Sequence, residues 1–182
     1  LITGLKLAES DQLLNGAGGA DMTGILNTTG VQDLDTATYF TANPVEGVGA
    51  ANENFNRILR GKTNVRTVGG GIADFAVVNP ADLETMLAVT NTAGNYYSAG
   101  PFGGAGLGSL WGLSVVEDAN IAAGTALVGD GRMAAVWDRM QAQILIDTIN
   151  DQFVRNMLTL LAEERLALTV FRPAAFAMVE LV

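Results

Sequence analysis

Apolar side chains recur at helical spacing in two parts of the chain. Residues 44–60 carry them every three or four positions, which predicts a helix that ends at Gly61. A second helix is predicted from Pro80 to about Val89, because Asn79 is a good N-cap and proline suits the first helical position. Residues 1–14 place leucines among polar side chains and are typical of the last turns of a helix, which a glycine-rich turn then ends.

Shorter apolar runs, bounded by turn-forming residues, predict β-strands. These runs are residues 75–78, 111–116, 126–128, 134–137 and 143–149, and a final alternating strand starts at Phe176. Residues 91–109 are rich in glycine and predict a loop around Tyr96, Tyr97 and Phe102. The strands and helices do not alternate as regular βαβ units, so the predicted class is α+β.

The pattern of residues 153–170 fits two structures. Leucine, methionine, alanine and glutamate give this stretch high helix propensity. Read at a period of two, however, alternate apolar residues share one face, and Glu164 interrupts that face. The local sequence alone leaves helix and strand open here.

The composition combines many apolar residues with an acidic balance. Apolar residues make up 49% of the 182 positions, charged residues only 16%, and the net charge is −9. An acidic surface repels phosphate backbones, so specific nucleic-acid binding is not expected. So much apolar surface indicates burial against other chains, as in an oligomer. No apolar run approaches the length of a membrane span, and no targeting segment is visible at Leu1.

Two residue types that dominate enzyme and metal sites are missing. The chain has no cysteine and no histidine, which removes thiol chemistry and the usual general base near neutral pH. Gly104, Gly106 and Gly108 alternate, but no lysine follows them and Ser109 stands where a dinucleotide fingerprint has its third glycine. No acidic cluster has metal-ligand spacing either. No cofactor and no metal are therefore expected.

The carboxylates leave one candidate for chemistry. Glu163 and Glu164 lie in the apolar C-terminal stretch, where burial can raise the pKa of a carboxyl group and make it a base. The alternative is an ordinary ion pair with Arg155 or Arg165. An acidic hydrolase that uses Glu163 or Asp130 is the remote reading.

Seven short sequence segments (phrases) occur along the chain in the same order as in one protein family. They include Val77-Val78-Asn79-Pro80-Ala81-Asp82 and Phe153-Val154-Arg155-Asn156-Met157-Leu158-Thr159, and together they cover residues 13–27, 77–82, 94–116, 123–139, 153–159, 163–168 and 172–176. In this order the chain resembles the major capsid proteins of Hong Kong 97-type tailed phages. Because the phrases run from residue 13 to residue 176, the resemblance covers almost the whole chain.

The resemblance implies the Hong Kong 97-type capsid fold, with an axial lobe and a peripheral lobe. The expected axial lobe is residues 31–130 and 167–182, and the expected peripheral lobe is residues 1–30 and 131–166. An N-terminal arm, an extended loop and most of a spine helix would precede Leu1. The family also implies a long strand over residues 156–168, against the helix propensity.

The implied function is that of a shell subunit, not an enzyme. Its partners would be copies of itself in hexamers and pentamers, with scaffold or protease and portal proteins of a phage, in a virion assembled in the host cytoplasm. A bacterial encapsulin-like compartment shell is the alternative within this fold. No membrane partner is implied.

The resemblance also implies one possible chemical step. In the type phage a lysine attacks an asparagine carboxamide on a neighbouring subunit and a glutamate accepts the proton, and these two residues fall on Asn156 and Glu163. On one extended strand their side chains would point to opposite faces and lie about 23 Å apart, so the site would need several subunits. The attacking lysine has no counterpart here, because Lys6 and Lys62 occupy no matching position.

Overall fold

A computed structural model of the chain describes residues 1–44, 50–90, 93, 96, 108–152 and 154–182. Its helices are α1 (Ile2–Asn15), α2 (Ala50–Thr67) and α3 (Pro80–Leu87), with a π-helical turn at Thr36–Phe40. Its strands are β1 (Gln32–Leu34), β2 (Phe75–Val78), β3 (Ser109–Leu110), β4 (Leu113–Glu117), β5 (Thr125–Gly129), β6 (Ala134–Asp147), β7 (Thr159–Val170) and β8 (Phe176–Glu180). Short 3-10 turns lie at Gly131–Met133, Asn150–Gln152 and Pro173–Ala175. The predicted α+β class is confirmed.

Six strands form one mixed sheet in the order β1-β8-β5-β2-β4-β3. The central strands are apolar on both faces, because helices or loops cover the sheet on each side. On one face, alternate residues such as Val78, Val128 and Val179 pack against Ile58 of α2 and Met86 of α3. The opposite face has its own core.

That second core joins α1 to the sheet. Leu127 of β5 and Phe176 of β8 point away from α2 and pack with Leu14, the buried residue near the end of α1. Ile121, in the loop after β4, completes the contact. The last turns of α1 are therefore fixed against the sheet, although the helix as a whole shows little separation of apolar and polar faces.

Gly61 does not end α2, contrary to the expectation from sequence. The helix continues to Thr67, and a Cβ atom at Gly61 would lie 2.6 Å from Cγ2 of Val179 and 3.3 Å from Cγ2 of Val128. Glycine is present because α2 lies close to the sheet at this position. The predicted helix begins at Pro44, which is not helical in the structure; α2 begins at Ala50, and residues 45–49 lie outside the described part of the chain.

The strand predicted from Trp111 begins two residues later. Trp111 and Gly112 form a tight turn with positive φ angles of 54° and 77°, so β4 starts at Leu113. The indole Nε1 of Trp111 donates a hydrogen bond to the carbonyl of Phe55 at 3.0 Å, and Lys62 Nζ donates to the carbonyl of Trp111 at 2.5 Å. The turn is thereby tied to α2. Most of the predicted loop before it, residues 91, 92, 94, 95 and 97–107, lies outside the described residues.

Two long strands, β6 and β7, form a separate antiparallel ribbon. The sequence predicted two strands, residues 134–137 and 143–149, where the structure has the continuous β6. It also left residues 153–170 open, and the ribbon settles the question for β7, which is a strand as the family resemblance implied. That strand begins at Thr159, however, so Asn156 lies before it. The proposed division into an axial and a peripheral lobe remains a prediction, and β7 crosses its boundary at residue 166.

Candidate functional site

Asn156 lies on the connection between the two strands of the ribbon. Its side chain is exposed and its backbone has φ 55°, a left-handed conformation that asparagine tolerates better than most residues. Asn150, at the other end of the same connection, has φ 56°. The premise of one strand through Asn156 and Glu163 is therefore wrong, and the separation derived from it does not apply.

Glu163 lies inside the ribbon and is half-buried. Its partner across the strands is Gln143, whose Nε2 donates a hydrogen bond to Oε1 of Glu163 at 2.9 Å. The suggested ion pair with Arg155 is not formed, because Arg155 Nε binds Oδ2 of Asp151 at 2.7 Å. The structure thus places both predicted site residues on the ribbon, without joining them in one site.

Glu164 points to a different neighbourhood, the groove between β7 and α1. Burial raises the pKa of its carboxyl group, and the nearby charges of Glu9 and Asp138 raise it further, while Lys6 opposes them. The sequence pattern gave Glu163 and Glu164 as a single candidate and did not distinguish the surroundings of their carboxyl groups. The one available signal was that Glu164 interrupts the apolar face of its strand.

Asp130, the other residue of the hydrolase reading, has a structural role. Its buried carboxylate accepts hydrogen bonds from the backbone N–H of Ile72 at 2.8 Å and from Nε and Nη2 of Arg132 at 2.9 and 2.8 Å. These bonds hold the pKa of Asp130 well below its usual range. A carboxylate so fully bonded is a poor proton acceptor, and it holds two loops together at the end of the sheet.

The glycine cluster at residues 69–71 is closely packed against the chain. Gly69 has no room for a side chain, because a Cβ there would lie 2.2 Å from the carbonyl oxygen of Ala174. Gly104 and Gly106 lie outside the described residues. Within the described ranges, no three acidic side chains are grouped as metal ligands would be, and no helix has the length and apolarity to cross a membrane.

The largest unexplained feature is apolar surface on the ribbon. Leu145 faces Leu161 across the strands, and the next pair is Ile146 and Leu160. Because successive pairs point to opposite faces of a ribbon, one pair lies on each side. All four side chains are exposed, by 45% or more, and Leu158, just before β7, is 69% exposed. At these two pairs both faces of the ribbon are therefore apolar and exposed.

An exposed apolar surface of this kind is typical of proteins that bury it against other chains. Residues 1–181 match the model of the phage capsid family, and the chain belongs to that family.

The chain is 38% identical over 177 residues to the major capsid protein of Enterobacteria phage HK97. The aligned region covers 96% of this chain and 43% of that relative. The chain thus spans less than half the length of that curated relative. Among solved structures it resembles Gordonia phage Cozz, with a TM-score of 0.71, 16% identity and coverage of 98% of this chain and 60% of the other.

It also resembles a virus-like particle from Pyrococcus furiosus, with a TM-score of 0.66, 13% identity and coverage of 97% and 64%. At these identities the two structures show the shared fold alone. They agree with the Hong Kong 97-type fold that the sequence phrases implied.

Proposed function

We propose that this chain is the body of a structural subunit that self-assembles as hexamers and pentamers into an icosahedral phage or prophage capsid. The observation that carries the proposal is the ribbon, with apolar pairs such as Leu145–Leu161 and Ile146–Leu160 uncovered on both faces. A two-stranded ribbon is only marginally stable in water, and burial between subunits would stabilise it.

Family membership supports a phage shell over the encapsulin-like alternative. The matching family is the phage capsid family, and the relative with 38% identity is a phage major capsid protein. The net charge of −9 suits a shell that encloses a genome without binding its phosphate backbone tightly. In this proposal assembly takes place in the host cytoplasm, with scaffold or protease and portal proteins as further partners.

Electron microscopy of the full-length gene product containing this chain tests the function. We expect closed particles after expression in bacteria. If no closed particles form over a broad range of pH and salt, the shell function is wrong. DNA-filled particles in cells that also express the phage packaging genes would support the phage reading, whereas particles that enclose an enzyme and no DNA would support a compartment.

We also propose that Asn156 and Glu163 take part in a covalent bond between subunits. A lysine amine from outside this chain would attack the side-chain carbonyl carbon of Asn156, forming an isopeptide C–N bond and releasing the amide nitrogen as ammonia. Glu163 would accept the proton of the amine and return it to the leaving group. Exposure of Asn156 on the ribbon connection and the partial burial of Glu163 support these roles.

Denaturing gels of assembled particles test this bond. We expect a ladder of species that survives boiling, each bond accompanied by the loss of one ammonia in mass spectrometry. Asn156→Asp and Glu163→Gln should abolish the ladder while particles still form. Asn150→Asp is the matched control, because Asn150 has the same backbone conformation on the same connection and should leave the ladder intact. Particles with no ladder in the unmodified protein would refute the cross-link but leave the shell function standing.

A further inference from the structure

The helix α2 is positively charged in a chain that is acidic. It carries four of the ten basic residues and one acidic residue, so its net charge is +3 where that of the whole chain is −9. Arg57 is buried and paired with Glu53. Lys62 and Arg66 are four positions apart, so they lie on the same side of the helix. Among the ion pairs of the described residues, neither of these two cations takes part.

An exposed tryptophan lies beside these two cations. Lys62 Nζ donates a hydrogen bond to the carbonyl of Trp111, and the indole Nε1 of Trp111 donates to the carbonyl of Phe55. Although it is tied to α2 in this way, Trp111 remains 48% exposed. Tryptophan and arginine are enriched at the energetic centres of protein interfaces. We call Lys62, Arg66 and Trp111 the basic flank, and it lies at the β3–β4 edge of the sheet.

The opposite edge of the sheet is acidic. Asp33 lies on β1, Asp35 directly follows β1, and Glu180 ends β8, and we call these three residues the acidic edge. Asp33 and Glu180 are exposed. Burial raises the pKa of the Asp33 carboxyl, and the charges of Asp35 and Glu180 raise it further, because the three carboxylates lie close together. None of the three forms an ion pair within the described part of the chain.

The width of the sheet separates the basic flank from the acidic edge. The strand order places β1 at one edge and β3, with β4 beside it, at the other. The side of α2 away from the basic flank contacts the β1 end, where Asn64 Oδ1 accepts a hydrogen bond from the hydroxyl of Tyr39 at 3.0 Å and the Asn64 carbonyl accepts one from Gln32 Nε2 at 3.3 Å. Two surfaces at opposite edges of one sheet can meet only between two copies of the chain. A contact between different patches of identical chains forms a ring when the rotation between copies closes.

We propose that the basic flank of one copy binds the acidic edge of the next copy, and that this contact repeats around each hexamer and pentamer. The inference rests on the proposed shell function and names the two surfaces that close its rings. Charge complementarity selects a second copy as the partner, because the same chain carries both unpaired surfaces. Exposed ion pairs are weak one by one, so the contact depends on several charges acting together and on the burial of Trp111.

Charge reversal in the full-length gene product tests the contact. Lys62→Glu with Arg66→Glu reverses the flank, and Asp33→Lys with Glu180→Lys reverses the edge. Each reversed variant brings like charges together at every contact, so it should lose rings in native mass spectrometry and closed particles in electron microscopy. All four substitutions in one chain should restore both. Glu84→Lys, at an exposed position of α3, is the control outside both surfaces and should assemble normally.

Two milder variants keep the hydrogen bonds of Lys62 and Glu180. Arg66→Glu alone and Asp33→Lys alone should each lower the salt concentration at which rings dissociate, because salt screens the charges that remain. Circular dichroism should show the same folded structure in these variants and in the unmodified protein. Unchanged salt dependence in both of them would contradict the contact.

A mixture of the two reversed variants tests the head-to-tail arrangement itself. When the variants alternate around a hexamer, opposite charges meet at every contact, so the mixture should form hexamers. A pentamer has an odd number of copies, so at least one contact must join two copies of the same variant and bring like charges together. We therefore expect hexamers from the mixture without pentamers or closed particles.

The outcomes distinguish this contact from the shell function. Normal rings in either reversed variant, or a loss that neither the four substitutions together nor the mixture repairs, would overturn the contact while the particles of the unmodified protein keep the shell function standing. A reversed flank that keeps its rings but loses bound nucleic acid would assign the flank to the genome and also overturn the contact. If the unmodified protein forms neither rings nor particles, both proposals are wrong.

Discussion

Single residues in this chain take their roles from what packs against them. The remote hydrolase reading of the sequence named both Asp130 and Glu163. Asp130 accepts four hydrogen bonds from Ile72 and Arg132 and so links two loops. Glu163 is half-buried and accepts one hydrogen bond, from Gln143. The difference lies in neighbours up to 58 positions away along the chain, such as Ile72, which no local pattern reveals.

Gly61 and Gly4 form a matched pair for testing close packing. Both lie in helices, so replacing either with alanine gains up to about 1 kcal/mol of helix propensity. At Gly61 the added methyl group would strike Val179, and overpacking of a core costs about 1–3 kcal/mol. We therefore expect Gly61→Ala to lower the free energy of unfolding by about 1 kcal/mol and Gly4→Ala to raise it slightly, as measured by urea unfolding. A gain in stability for both variants would mean that α2 is not held so close to the sheet.

At the scale of elements, the ribbon shows how pairing overrides local preference. Residues 159–170 have strong helix propensity, yet they form β7 because β6 offers eleven paired positions along its length. The break that the sequence suggested between residues 137 and 143 is the bulged bend of one strand. Helix propensity differs by less than about 1 kcal/mol per residue, and the hydrogen bonds and apolar pairs between the two strands can outweigh a difference of that size.

The ribbon also provides a direct test of the association surface. Ile146→Asp places a charge on one apolar face without disturbing either core, because Ile146 is 63% exposed. We expect the full-length variant to remain folded but to form small oligomers in place of closed particles, as seen by size-exclusion chromatography and electron microscopy. Gln141→Asp adds the same charge at an exposed polar position of β6 and should retain assembly. Normal particles from Ile146→Asp would exclude this face as a contact, without affecting the shell function.

At the scale of the whole molecule, the two cores and the exposed ribbon account for the high content of apolar residues and the low content of charged ones. A chain with 49% apolar residues and only 16% charged ones has more apolar side chains than the sheet can enclose. Much of the excess among the described residues lies on β6, β7 and their connection. The low charge suits surfaces that are buried on assembly, and the acidic balance discourages contact with nucleic acid.

The sequence by itself determined the α+β class, the junction of β2 with α3 and the order of phrases that placed the chain in its family. These features are local: an asparagine cap, a proline and short apolar runs act within a few residues. The tertiary structure alone decided the length of α2, the continuity of β6 and the separate surroundings of Glu163 and Glu164, and it confirmed for β7 the strand that the family resemblance implied against local helix propensity. Each depends on residues distant in sequence, because close packing and strand pairing outweigh weak local preferences.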